Sequence, residues 1–241
     1  MRTLVIVIAS PGEAYDAMKH AWLRHWERGR ADLAPGSALV FAYGRGGLEA
    51  TAAPSEHDVE APGVEESVVP GVMRKTLLVL ERALQLNAFD AFVRTNLSSV
   101  YAWDALAAFV RRLGPGGDAD ASGFSDDFSH FSGCNLGLSR AAARLLVSRR
   151  AELAASRALD DVAASDVLLS SFSPSRVAWV ARVDLLPAPF PKNCGGGREP
   201  FHVRVKSADR GRDAATMLRL VDAYAAGGGG RMLAEALAAA A

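Results

Sequence analysis

The run Leu4-Val5-Ile6-Val7-Ile8-Ala9 is wholly apolar and largely β-branched, and it stops at Ser10-Pro11-Gly12. A strand with one wet face alternates polar with apolar residues. An unbroken apolar run needs cover on both faces, the condition of a strand inside a parallel sheet. Helical spacing follows through Ala14, Met18, Ala21, Trp22 and Trp26, to about Gly29. Leu39 to Tyr43 then gives a second strand, ended by Gly44-Arg45-Gly46-Gly47. This strand–helix–strand opening implies an α/β fold, Rossmann-like, with a mostly parallel central sheet flanked by helices. The apolar run is too short for a secretory segment, and no other approaches the ~18 residues of a membrane span. No membrane span and a cytoplasmic location are therefore expected.

The chain has 241 residues, 50% of them hydrophobic, which suits one large α/β domain and excludes disorder of its body. Residues 48–70 read as a loop. Gly71–Leu86 reads as an amphipathic helix, Phe89–Thr95 as a strand, Trp103–Leu113 as a helix and Gly114–Gly123 as an acidic surface loop. Phe128–Gly133 reads as extended, with helices starting near Ser139 and running over Asp160–Leu169. Val177–Leu185 reads as one strand, Pro187–Pro200 as a long loop, Phe201–Lys206 as a strand and Asp213–Tyr224 as a helix. The glycines at 227–230 read as a hinge before an Ala-rich helix, which divides the chain into a domain over 1–226 and a terminal helix over 227–241.

Lys+Arg and Asp+Glu both number 27, so the net charge is zero. A protein living on nucleic-acid phosphates carries a basic excess, and that class is excluded. An anion must be held by a local cluster instead. Cys134 and Cys194 are too few for a disulfide framework and lack the spacing of a zinc site. Cys134 reads as a small buried residue, and Asp118, Asp120, Asp126 and Asp127 as a solvated loop.

Four segments could carry chemistry. In Phe201–Lys206, strand alternation sends His202, Arg204 and Lys206 to one face, about 7 Å apart, as a site for an anion such as a diphosphate. The bland reading is a solvated face. Asp160-Asp161 opens a helix, where one acid can cap and the other face a cleft as a general base. Arg94-Thr95-Asn96-Leu97-Ser98-Ser99 is a polar burst at a strand's carboxyl end, where open α/β sheets gather ligands; turn chemistry is the alternative. Ser132-Gly133 allows close backbone approach, and Ser139 can cap the next helix.

The order of these pieces resembles the inverting, nucleotide-sugar-dependent glycosyltransferases of the GT-A fold, specifically the β-1,3-galactosyltransferase and fringe group. The pieces are Glu65-Glu66-Ser67, the helix carrying Lys75, Arg94–Val100, Ser132-Gly133, Leu138-Ser139-Arg140 and Asp160-Asp161-Val162. Phe201–Lys206 resembles the closing segment of related viral and bacterial proteins. The resemblance spans roughly 60–206. It implies transfer of a sugar from a nucleoside-diphosphate sugar (UDP- or GDP-linked) to a hydroxyl of a glycan acceptor. Asp161 is then the base and Asp160 its supporting carboxylate. Ala9, Ser10, Lys75, Arg94, Thr95, Asn96, Ser98, His202, Arg204 and Lys206 bind the donor, and Ser132 and Gly133 the acceptor. The family's Asp-x-Asp, which holds Mn or Mg on the diphosphate, is replaced here by Asn96-Leu97-Ser98. Two neutral groups suit a hard cation poorly. A weak Mn or Mg site through His202 or a reduced metal dependence follows, the second being favoured. The competing expectation is a non-catalytic nucleotide-sugar or glycan-binding domain. A Ser/His/Asp hydrolase is disfavoured by the lack of a Gly-x-Ser-x-Gly elbow.

Overall fold

The computed structural model describes residues 1–52, 54–125, 128–185, 190–192 and 200–238. Asp126, Asp127, Cys194 and most of the Pro187–Pro200 segment lie outside the described residues. The chain runs β1 (Thr3–Ile8), α1 (Glu13–Gly29), β2 (Ala38–Tyr43), β3 (Asp58–Glu60), α2 (Gly71–Leu86), β4 (Ala91–Asn96), β5 (Ser99–Tyr101) and α3 (Trp103–Val110). It continues with β6 (Ala121–Gly123), β7 (Leu136–Ser139), α4 (Arg140–Ser148), α5 (Arg150–Ala155), α6 (Asp160–Ser171), β8 (Val177–Trp179), β9 (Arg182–Asp184), β10 (Phe190–Lys192), β11 (His202–Arg204) and α7 (Arg210–Ala238).

Seven strands form the central sheet in the order β3-β2-β1-β4-β7-β6-β8. Only the pairings that β7 makes with β4 and β6 are antiparallel, so the sheet is mostly parallel. The Rossmann-like α/β layout read from the sequence is what the chain adopts. Every residue of β1 is buried, as an unbroken apolar run requires. Alternation divides its side chains between two cores. Val5 and Val7 pack with Trp22, Trp26, Trp103 and Met217 on the α1/α3/α7 side. Leu4, Ile6 and Ile8 pack with Met73, Leu80, Leu138 and Leu168 on the α2/α4/α6 side.

Several boundaries differ from the sequence reading. The 48–70 loop contains β3, an edge strand beside β2. The supposed surface loop 114–123 ends in β6, three buried small residues in the central sheet. Phe128–Gly133 is not a strand, and β7 takes that place in the ladder. Val177–Leu185 is not one strand: β8 lies in the central sheet and β9 in a second sheet of order β10-β9-β11-β5. In α7 the backbone leaves helical geometry at Gly227 and Gly228. Beyond that break Met232 and Ala236 are fully buried in the same core as α1 and α3.

Because β7 runs against both its neighbours, β1, β4, β6 and β8 all point the same way. Their carboxyl ends, and the entry to β7, share one edge of the sheet.

Candidate functional site

The chain leaves β1 for β2 on one side, while β4 lies on the other. A crevice opens between the carboxyl ends of strands at such a reversal of order. A cleft of about 180 Å3 sits there, lined by Ile8 and Ser10 after β1, Asn96, Leu97 and Ser98 after β4, and Arg204, Lys206 and Arg210. The Val205 amide donates to the Ser98 carbonyl (2.8 Å), which holds the exit of β11 against the β4–β5 turn and brings the basic side chains to the cleft.

These cations are unevenly tied down. Arg210 opens α7 and bonds Asp213 (2.9 Å), whose buried carboxylate also accepts from the Ser207 amide and hydroxyl. Arg204 and Lys206 make no ion pair among the described residues, and the buried Arg204 Nε has no hydrogen-bond partner there. Burial, then the neighbouring Arg204 and Arg210 charges, pull the Lys206 ammonium below the ordinary lysine range; Asp161 and Cys134 pull the other way. Crowded like charges of this kind are relieved by a bound anion. Val72, in the first turn of α2, adds the positive end of a helix to the same cleft.

The acids stand beside this cleft at the start of α6. Leu159, not an acid, is the cap residue. Asp160 pairs with Arg94 of β4 at 2.6 Å, and Asp161 Oδ2 accepts from the Gly133 amide at 3.1 Å. A Cβ at 133 would lie 2.3 Å from the Arg94 guanidinium, so any larger residue there would displace that arginine. The Thr95 hydroxyl (2.7 Å) and Tyr101 hydroxyl (3.0 Å) both donate to the Cys134 carbonyl, fastening this turn to β4 and β5. Arg182 donates to Ser132 Oγ (2.8 Å) and pairs with Asp184.

Beneath the end of β1, Lys75 donates to the Ala9 carbonyl and to Glu66, both at 2.8 Å. Burial lowers the Lys75 ammonium, and Glu66 opposes that shift. Glu66 also accepts from the Gly44 amide, so one lysine ties the ends of β1 and β2 together.

Among the residues expected from the sequence, Ser10, Asn96, Ser98, Arg204 and Lys206 line the cleft. Ala9, Lys75, Arg94 and Thr95 are buried; although the Asp161 charge is felt at Lys206, Asp160, Asp161, Ser132 and Gly133 do not line the cleft. His202 does not line it. Its ring is fully buried and stacked on Tyr101 (4.7 Å), with neither nitrogen hydrogen-bonded among the described residues. Burial, then the Arg182 and Arg204 charges, keep it neutral. Alternation tells which way a side chain points but not what covers it.

Arg210 was not among the expected residues, although the charge-dense Asp209-Arg210-Gly211-Arg212-Asp213 stretch after a basic strand is the signal that could find it. The residues at the β4 exit do not suit a divalent metal. Asn96 and Ser98 offer only neutral oxygens, and among the described residues no three His, Cys, Asp or Glu side chains converge as a metal site. No helix among them is long and apolar enough to cross a membrane.

No protein-family model and no curated protein matches this chain. Among solved structures it is similar to a glycosyltransferase involved in the glycosylation of the major capsid of PBCV-1, with a TM-score of 0.56 and 11% identity. The match covers 90% of this chain and 99% of that one. At that identity the likeness speaks for the fold, a glycosyltransferase-type Rossmann-like architecture over nearly the whole chain.

Proposed function

We propose that this protein is an inverting glycosyltransferase of the kind its motif order resembles, the β-1,3-galactosyltransferase and fringe group. It moves a sugar from a nucleoside diphosphate to a hydroxyl of a glycan. The observation that carries this reading is the cleft at the reversal of strand order, lined by Arg204, Lys206 and Arg210, with the Asp161 carboxylate close enough to act on Lys206.

In this reading the nucleotide lies against Ser10 and the end of β1. Asp161 takes the proton from the acceptor hydroxyl as its oxygen bonds to the anomeric carbon. The bond from that carbon to the diphosphate breaks on the opposite side. The electron pair leaves with the diphosphate, and its growing charge falls on Arg204, Lys206 and Arg210. Groups already fixed where charge develops are the largest electrostatic aid available to such a step. The three cations, rather than a resident metal, neutralise the leaving group. Asp160, paired with Arg94, and Gly133, bonded to Asp161, position the base.

Asp161→Asn is expected to lower transfer at least ~100-fold, the scale of a lost general base, while donor binding persists. Turnover near wild type would reject the assignment. Donor identity is read from a thermal-shift panel of UDP-, GDP- and dTDP-sugars with Mn and with EDTA, since a bound ligand stabilises by mass action. Collapse of the shift on chelation would contradict the metal-free account.

The neutral Asn96-Leu97-Ser98 turn favours a second reading, a domain that binds a nucleotide sugar or glycan without reacting. It predicts donor-induced stabilisation with neither transfer nor donor hydrolysis under any metal condition.

A further inference from the structure

The sheet edge that holds the cleft continues past it. Beyond β4 come the entry to β7, the exit of β6 and the exit of β8, the last residue of which is Trp179. From β4 to β8 is three strand spacings, about 14 Å. Asp161 stands between, fixed to Gly133 just before β7.

At the far end lies an aromatic group. The Trp179 ring tilts against Phe131 (5.0 Å) and meets Phe128 edge-on (5.3 Å, 81°). Phe131 is fully buried and its amide is fastened to the Ser165 hydroxyl (2.7 Å), one turn along α6 from Asp161. Phe128 is different: it is 47% exposed. Its φ of 61° is a left-handed value that disfavours any residue with a Cβ. A large apolar ring is thus held out of the core on an unfavourable backbone, against a half-buried tryptophan, on the edge that carries the cleft and its carboxylate.

We propose that Phe128 and Trp179, nearly perpendicular to each other, form the platform at which the acceptor's sugar ring docks, one ring lying under it and the other standing at its side. This rests on the glycosyltransferase reading for the word acceptor, but the ligand class follows from the surface itself. The C–H groups on one face of a pyranose match the negative face of an aromatic ring. Its hydroxyls at the rim meet Ser129 and His130, which are hydrogen-bonded to each other at the surface (2.9 Å). The platform sets which glycan is presented and how its hydroxyl is turned toward Asp161.

Trp22, Trp26 and Trp103 are buried, so Trp179 alone of the four tryptophans meets solvent and reports on this surface. Its emission is to be followed while titrating methyl β-glucoside, methyl β-galactoside, methyl α-mannoside, lactose, cellobiose and maltose. At least one should give a saturable change. In Phe128→Ala its affinity should fall about tenfold, ~1.4 kcal/mol. Phe128→Gly accepts the positive φ without strain and guards against a folding artefact; it should show the same loss with an unchanged or higher melting temperature. Stabilisation by UDP should be untouched in both variants. No response to any of the six saccharides, or an affinity equal to wild type in both variants, overturns the platform. Saccharide binding without transfer would sink the glycosyltransferase reading and leave the platform standing. Transfer with an acceptor KM unmoved by Phe128→Ala would do the reverse.

Discussion

Two groups of cations serve opposite ends. Arg94 and Arg182, 2% and 3% exposed, are each matched to one aspartate at 2.6 Å, Asp160 and Asp184. Arg204 and Lys206 line an open cleft and have no carboxylate partner among the described residues. A charge taken out of water must be paired or the fold loses several kcal/mol. A charge left at a cleft mouth keeps part of its hydration and stays available. The neutral total charge of the chain hides this division, since the buried arginines consume their acids and the cleft does not.

The contrast can be broken in four ways. Arg94→Met strands the Asp160 carboxylate and should cost about 3–5 kcal/mol, visible in chemical denaturation. Adding Asp160→Leu should restore much of that. A mild effect of the single change would mean that Arg94 belongs with the cleft cations.

Acid should next expose His25, one of two buried histidines that the fold holds neutral. His25 is wholly buried against the Tyr101 carbonyl, and burial takes it from 6.5 to about 4. Between those values the unfolded chain binds the proton that the folded one refuses. Stability is therefore full above pH 6.5 and falls as the pH drops toward 4, by ~3 kcal/mol. Denaturation midpoints across that range should fall less steeply in His25→Gln, the share of buried His202 remaining.

Arg204→Met and Lys206→Met should behave differently from Arg94→Met. Each should weaken UDP binding about 10- to 100-fold, the worth of a hydrogen bond to a charged group, with melting temperature unchanged or raised. Calorimetric titration checks the first and a thermal scan the second; a marked loss of stability would erase the distinction. The smallest effect is alkaline. Lys206 loses its proton below the ordinary lysine range, so UDP affinity should decline as pH rises through that depressed value. Lys206→Arg should remove the decline.

The fold was legible where pattern and environment coincide. β1 is apolar throughout because it is covered throughout, and the amphipathic stripe of α2 matches one core. β6 was not, because Ala121-Ser122-Gly123 has no β-branched residue and is specified by its place between β7 and β8. The division of 177–185 was hidden because Val180 and Ala181, where the chain changes sheets, are as buried and apolar as a strand. At the site, strand alternation foretold the cleft positions of Arg204 and Lys206. It could not foretell that Tyr101 stacks on His202 and buries it, nor that Arg210 reaches the same space from a helix start.

That change of sheets has a mechanical side. Two residues, Val180 and Ala181, join β8 to β9, and two more, Leu97 and Ser98, join β4 to β5. The sheets are thus joined at two corners by two-residue links that leave little slack between them, and the cleft is set into one of those corners. Admission and release of a guest must then depend on side chains and surface turns rather than on a swing of one half against the other. The frame should ring alike, loaded or empty.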